Sequence, residues 1–160
     1  MDMALLAGPK HARKTREAQR PSARTAWQGS SLALSAVPTN RLIHLIEQGL
    51  PFKMFTALSD KIRIPMAELA STLKIPPRTL ARRRVAGRLA PDESERLMRV
   101  ANIFEKALQL FEGQTDAAVT WLKSPKKALS NHSPLRYACF EAGAREVENL
   151  IGRLEHGIFS

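Results

Sequence analysis

The sequence predicts an all-α protein. Apolar residues recur at helical spacing after residue 38, no segment alternates apolar and polar residues as a strand does, and prolines and glycines separate the apolar stripes. A chain of 160 residues that is 44% hydrophobic can bury one modest core or two small ones. We expect a basic arm over residues 1–38, a helical domain over 39–113 that ends in a long helix, and a small helical domain over 114–160.

The N-terminal arm is basic and poor in apolar residues. Residues 1–29 contain six Lys or Arg against two acids, a composition typical of disordered chain. Contact with DNA phosphates and a merely solubilising role are both open for this arm. Trp27 is the exception, because a single Trp in a tail sometimes docks on its own domain or on a partner.

Two helices are predicted at the start of the first helical domain. Thr39 or Asn40 is a suitable N-cap for the first helix, and Gly49 closes it. The apolar stripes of the two helices are, in order, Leu42, Leu45 and Ile46, and then Phe52, Phe55, Leu58 and Ile62. The second stripe is the natural floor for the segment that follows.

Residues 66–84 predict a helix-turn-helix. The stripe of its first helix is formed by Met66, Leu69, Ala70 and Leu73. Pro76 cannot continue that helix, whereas Pro77 suits the first position of the next one, because its missing N–H would have no partner there. Two positions depart from the common pattern: Lys74 stands where the turn usually has Gly, and Arg83 where the second helix usually has an apolar residue.

The second helix carries paired arginines on its outer face. At about 100° per residue, Arg78 and Arg82 lie opposite the inward Leu80. Arginine can bond bidentately to guanine, so such a braced pair is typical of a helix that reads the DNA major groove. We predict DNA contacts by Arg78, Thr79, Arg82, Arg83, Arg84 and Arg88. The alternative is a solvated basic face on an ordinary helical hairpin.

The distribution of charge favours the DNA interpretation. The chain has a formal charge of +10. Residues 61–90 carry eight Lys or Arg against one acid, whereas residues 91–160 carry nine against ten. Positive charge is therefore concentrated in the N-terminal arm and the helix-turn-helix, which indicates a localised polyanion site rather than a generally basic surface.

A long helix is predicted to begin at Pro91, with Asp92 and Glu93 in its first turn, where acids interact favourably with the helix dipole. Apolar residues alternate along it by four and three: Leu97, Ala101, Phe104, Leu108 and Phe111. Two heptads fit a core-facing helix and a dimer seam equally well. We expect a homodimer, because a helix-turn-helix usually reads paired half-sites.

Three further helices are predicted after Gly113. The first stops before Pro125, and the second begins at Pro134 and is interrupted at Gly143. Their apolar residues are Ala117, Ala118, Trp121 and Leu122, then Leu135, Ala138 and Cys139, and in the last helix Val147, Leu150, Ile151 and Leu154.

Several kinds of site are missing from the sequence. Cys139 is the only cysteine, so the chain forms no internal disulfide, and four histidines provide no Cys/His cluster at metal spacing. No nucleophile stands beside a base in a recognisable motif, and Cys139 is interpreted as a small buried hydrophobe. No apolar run is long enough for a signal peptide or a membrane span. We therefore expect a cytoplasmic protein with no catalytic residue, metal, cofactor or membrane contact.

Several segments resemble antitoxins of the Xre/MbcA/ParS type. They are Arg78-Thr-Leu-Ala-Arg82, Gly87-Arg-Leu-Ala-Pro-Asp-Glu-Ser-Glu-Arg96, Trp121-Leu-Lys-Ser-Pro125, Ala128-Leu129, Pro134-Leu135 and, above all, the segment from Glu141 to Phe159. The resemblance covers roughly residues 40–160. It implies a bacterial type II toxin–antitoxin system, in which the protein silences a RES-domain toxin that destroys NAD⁺ and represses its own operon by binding operator DNA.

The resemblance also implies a toxin-binding surface at the C-terminus. Its residues are Leu150, Gly152, Arg153, Glu155, His156, Gly157, Ile158 and Phe159. On the residues alone, the apolar pair Ile158 and Phe159 either packs on its own domain or meets a partner. A stand-alone helix-turn-helix transcriptional regulator is the alternative function, but it leaves this tail unexplained. An NAD-handling enzyme would need a phosphate cradle or a catalytic constellation, and the chain has neither.

Overall fold

The computed structural model describes residues 37–157, and within this range the protein is all-α, as predicted. The helices are α1 Thr39–Glu47, α2 Phe52–Ile62, α3 Met66–Thr72, α4 Pro77–Ala86, α5 Pro91–Leu110, α6 Thr115–Lys123, α7 Pro134–Tyr137 and α8 Glu141–Glu155, with a short 3-10 helix at Lys127–Leu129 between α6 and α7. The predicted N-terminal arm, apart from residues 37 and 38, lies outside the described residues, as do Ile158 and Phe159.

Prolines set the start of the first four helices. The residues directly before α1, α2, α3 and α4 are Pro38, Pro51, Pro65 and Pro76, each with extended backbone. The N-cap predicted at Thr39 or Asn40 is therefore wrong: Thr39 is already helical, and no side chain caps α1. The fixed φ of proline favours this extended entry, so the helix begins one residue after the ring.

The helix-turn-helix is confirmed as α3 and α4. Lys74, at the position where Gly is usual, adopts the left-handed conformation with φ 57°. The N–H of Ile75 then donates to the carbonyl of Ala70 at 2.8 Å, which closes the end of α3. A side chain in this conformation costs about 1 kcal/mol, and the turn keeps its shape despite that cost.

The long helix α5 is the centre of the core. It packs against α1 and α2 of the first half and against α6 and α8 of the second. Leu97, Ala101 and Phe104 are at most 2% exposed. Of the two interpretations of the heptad-like stripe, the structure therefore supports the core-facing helix, because side chains buried within one chain are not available as a dimer seam.

The break between the last two helices lies before Gly143, so the interruption predicted at this glycine is wrong. Helix α7 ends at Tyr137, and Gly143 lies inside the first turns of α8. A Cβ on Gly143 would come within 2.3 Å of the carbonyl oxygen of Tyr137. Glycine stands here because α8 begins directly against the end of α7.

Two glycines of α8 are expected to respond in opposite directions to alanine. Gly143→Ala should lower the free energy of unfolding by about 1–3 kcal/mol, because the new methyl group overlaps a backbone carbonyl. Gly152→Ala lies in the same helix, but its new methyl group meets no described atom within 4 Å apart from the nearby backbone of that helix, so it should raise the free energy of unfolding by about 0.5–1 kcal/mol. Urea unfolding followed by circular dichroism measures both, and a shift of the same sign in the two variants would contradict this account.

Candidate nucleic-acid and partner interfaces

Helix α4 has an inner and an outer face. Thr79, Leu80 and Arg83 are half-buried on the inner face, whereas Arg78 and Arg82 are exposed on the outer one, as predicted. Arg84 is also exposed, on the flank of the helix. Among the described residues, no carboxylate forms an ion pair with these three exposed arginines. Their donors are therefore available to a polyanion.

Arg83 points the other way and has a partner inside the fold. Its Nε donates to Oε2 of Glu93 at 2.8 Å, and the two side chains are 24% and 7% exposed. The same carboxylate oxygen accepts the backbone N–H of Ala90 at 2.8 Å, at the start of α5. The hydrogen bond to Glu93 raises the pKa of Arg83. Arg83 thus joins the end of α4 to the start of α5.

The Arg83–Glu93 contact is expected to stabilise the fold measurably. Glu93→Ala should lower the free energy of unfolding by about 2–3 kcal/mol, because it removes the half-buried charged hydrogen bond to Arg83 and leaves the backbone N–H of Ala90 without its acceptor. Glu95→Ala is the matched control. Glu95 forms a surface pair with Arg99 at 3.2 Å, and its loss should cost about 0.5 kcal/mol or less. If urea unfolding shows the same loss of stability in Glu93→Ala and Glu95→Ala, burial does not strengthen the Arg83–Glu93 pair.

Arg88 also has partners within the chain. Its Nη1 donates to the carbonyl of Gly49 at 3.0 Å, beyond the end of α1. Of the six residues predicted to contact DNA, the structure therefore places Arg78, Arg82 and Arg84 together on the exposed surface of α4. Arg83 and Arg88 hold neighbouring elements, and Thr79 is half-buried.

Helix α8 has one face in the core and one face open. Val147 and Ile151 are buried, and Leu150 is half-buried beside them. The opposite face forms a shallow depression of about 460 Å³, lined by Glu146, Glu148, Asn149, Gly152, Arg153 and His156. Three residues of the predicted toxin-binding set, Gly152, Arg153 and His156, are thereby brought together.

Gly152 is the residue of α8 that the fold itself does not explain. It lies in the helix interior, where glycine is about 1 kcal/mol less favourable than alanine. Apart from the nearby backbone of its own helix, no described atom lies within 4 Å of the position its Cβ would occupy. A missing side chain on an open helix face leaves the backbone accessible to a partner.

Two arginines of α5 connect the helix-turn-helix with the start of α8. The Nε of Arg96 donates to the carbonyl of Leu73 at 2.7 Å, and Arg99 donates to the carbonyl of Cys139 at 3.3 Å. Lys74 also reaches across, with its Nζ 5.9 Å from the ring centroid of Phe140. Sequence reasoning missed these contacts. The only available signal was the position of two arginines one turn apart on a core helix.

No chemical site accompanies these surfaces in the described part of the chain. Residues 37–157 contain no cluster of His, Cys, Asp or Glu that could hold a metal ion. Cys139 is buried, as predicted, and burial raises the pKa of its thiol despite the nearby Lys74 and Arg99. A neutral buried thiol is a poor nucleophile. None of the helices described here is long and apolar enough to cross a membrane.

Comparison with known proteins matches each half of the chain to a domain family. The model of the antitoxin Xre-like helix-turn-helix domain matches residues 41–102, and that of the antitoxin Xre/MbcA/ParS C-terminal toxin-binding domain matches residues 106–157. The antitoxin Xre of Yersinia enterocolitica is 38% identical over 141 residues, which cover 88% of this chain and 95% of the relative. The antitoxin Xre of Photorhabdus laumondii is 32% identical over 135 residues, which cover 84% and 90%.

These matches confirm the predicted order of a helix-turn-helix domain followed by a toxin-binding domain. They also disfavour a stand-alone transcriptional regulator, because the second match accounts for the C-terminal half that such a protein would not need. The relatives are named as antitoxins, which are regulatory proteins and not enzymes. The chain therefore belongs to the Xre family of antitoxins.

Proposed function

We propose that this antitoxin neutralises a RES-domain toxin, an enzyme that destroys NAD⁺, and represses its own operon by binding operator DNA. The identity of the toxin rests on the resemblance of the segment from Glu141 to Phe159 to antitoxins of this type. The observation that carries the binding mode is the open face of α8, with Gly152 lying bare at the depression.

The toxin-binding surface proposed here extends from α8 into the C-terminal tail. Gly152, Arg153, Glu155, His156 and Gly157 lie on α8 or directly after it, and Ile158 and Phe159 continue the chain beyond the described residues. Leu150 packs half-buried on the core side of α8 and would support this surface from behind. Arg153 and Glu155 would supply charged contacts. Phe159 would supply an aromatic anchor of the kind that carries much of the energy in protein interfaces.

Co-expression with the product of the neighbouring gene tests neutralisation. Cellular NAD⁺ should fall when that product is made alone and stay constant when the antitoxin is made with it. The two proteins should also co-purify. A neighbouring protein that leaves NAD⁺ unchanged, or an antitoxin that neither protects NAD⁺ nor co-purifies, would contradict the proposal.

The operator contact is proposed for the outer face of α4. Arg78 and Arg82 would enter the major groove, while Arg84 on the flank would meet phosphates. Thr79, Arg83 and Arg88 would support this surface rather than bind bases. Arg83 fixes the end of α4 through Glu93, and Arg88 holds the residues that follow α1. Binding to the chromosome requires the cytoplasm of a bacterial cell, which is the location we propose.

We also propose that the antitoxin binds DNA as a homodimer, because a helix-turn-helix usually reads two half-sites related by symmetry. The buried stripe of α5 does not form this contact. Light scattering at tens of micromolar, roughly the range of weak dimers, should give twice the mass of one chain. A monomer at that concentration, both alone and on DNA, would contradict a dimeric antitoxin.

A further inference from the structure

Val85 is an exposed aliphatic side chain in an unfavourable place. It is 91% exposed, compared with 51% for Ile43 and 54% for Phe140, and it lies in the last turn of α4 directly after Arg84. Solvent does not favour an isopropyl group, and a β-branched side chain is also a weaker helix former than alanine or arginine. The fold of the described chain therefore gives no reason for valine at this position.

The position of Val85 on the helix places it among the outer arginines. At about 100° per residue, Val85 lies roughly 200° from the inward Arg83 and within about 60° of both Arg78 and Arg82. Arg78 and Val85 are separated by roughly 10 Å along the helix axis, at about 1.5 Å per residue. This length corresponds to about three steps of DNA at roughly 3.4 Å each. The outer stripe thus presents two guanidinium groups and one apolar group over a length of about three base pairs.

We propose that Val85 contacts the C5-methyl group of a thymine in the major groove and so determines part of the operator sequence. This inference rests on the proposed binding of operator DNA by α4. The exposed arginines Arg78, Arg82 and Arg84 surround Val85 with positive charge, which favours a polyanionic partner. Within the major groove, the methyl group of thymine is the apolar feature that distinguishes one base pair from another. The side chain of valine has no polar atom, so within the groove it gains from that apolar contact and not from hydrogen bonds to base edges.

Uracil substitution in the operator tests this contact directly, since uracil differs from thymine only in lacking the C5-methyl group. The full-length antitoxin is first footprinted on the DNA upstream of its own gene. Duplexes of the protected sequence are then made with uracil in place of each thymine in turn. Fluorescence anisotropy measures their affinity for the wild-type protein and for Val85→Ala, whose folding is checked by circular dichroism.

The wild-type protein should lose about fourfold in affinity at one thymine per half-site, the ratio expected for one methyl group left in water. Val85→Ala should bind the unmodified operator about fourfold more weakly for the same reason and show no further loss on the uracil duplex. Ile43→Ala is the matched control: it shortens another exposed aliphatic side chain, on α1, and should keep the full uracil penalty.

Four results would overturn the inference. A uracil penalty of the same size in wild type and Val85→Ala would place the methyl contact on another residue. The absence of a penalty at every thymine of the footprint would show that no such contact exists. Unchanged DNA affinity in Val85→Ala together with weaker toxin binding would place Val85 in a protein interface. The absence of any footprint would instead overturn DNA binding itself, and this inference with it.

Discussion

The double variant Arg78→Ala/Arg82→Ala is expected to lose sequence-specific DNA binding while it keeps its fold. Each arginine that bonds a base should contribute about 1–3 kcal/mol, so the loss of both should weaken operator binding by at least about 30-fold. Both side chains are exposed, and alanine is the best helix former, so the melting temperature should not fall. Fluorescence anisotropy with operator and scrambled DNA, each over a range of salt, measures affinity and specificity.

The salt dependence separates base contacts from phosphate contacts. Loss of an arginine that contacts only phosphate should weaken binding to all sequences alike and reduce the salt slope by about 1. Arg136→Ala is a suitable control, because Arg136 is an exposed arginine on α7, outside the helix-turn-helix. Unchanged operator affinity in the double variant would remove α4 as the DNA-reading element.

A bulky side chain on the open face of α8 should abolish neutralisation without unfolding the protein. Gly152→Trp adds its side chain on the open face of α8, where a new Cβ meets no atom within 4 Å apart from the nearby backbone of its own helix, and circular dichroism should confirm that the variant folds. A toxin that approaches the backbone of α8 at this point cannot accommodate the indole. Steric exclusion from a closely packed interface should reduce affinity by at least about 2 kcal/mol, the scale of a hot-spot loss. An NAD⁺-consumption assay with purified toxin measures this effect.

Asp60→Trp is the control for the bulk of tryptophan, because Asp60 is exposed on α2 in the DNA-binding half. It should inhibit the toxin as wild type does. If Gly152→Trp also inhibits fully, the depression on α8 is not part of the interface.

The contribution of the tail can be measured by truncation after Leu154. If Glu155 and the residues that follow enter a cleft on the toxin, the truncated protein should fold and bind DNA but fail to protect NAD⁺. Phe159→Ala alone should cost about 2 kcal/mol of binding if this ring is an anchor. A charged partner stranded by the loss of Glu155 would add roughly 2–5 kcal/mol. Full inhibition by the truncated protein would reject the tail as inhibitory element, and a lower melting temperature would indicate that the tail packs on its own domain.

The helices were predictable because their signals are local. The stripe from Phe52 to Ile62 and the prolines before α4 and α5 are read within a few residues of sequence, and α2, α4 and α5 begin where these signals place them. The exposure of Arg78 and Arg82 follows from the same periodicity. These features can be predicted without knowing which elements the helices pack against.

The failures depend on contacts between distant elements. A glycine that another chain segment approaches looks the same in sequence as a glycine that ends a helix, which is why Gly143 was misassigned. The sequence predicts Arg83 as a DNA contact, because its partner Glu93 lies beyond a turn and on another helix. The toxin is a different case, because physical chemistry identifies an open surface and only the resemblance to known antitoxins gives it a partner.

The position of α5 between the two halves also couples their stabilities. One continuous core runs from Leu50 to Ile151, and α5 contributes to it along most of its length. Such a core opens cooperatively, so proteases that digest the opened chain cannot remove one half and spare the other. If the antitoxin has both proposed activities, repression and neutralisation would then be lost together. Under that proposal, release of the operon and release of the toxin would follow the same time course once synthesis of the antitoxin stops.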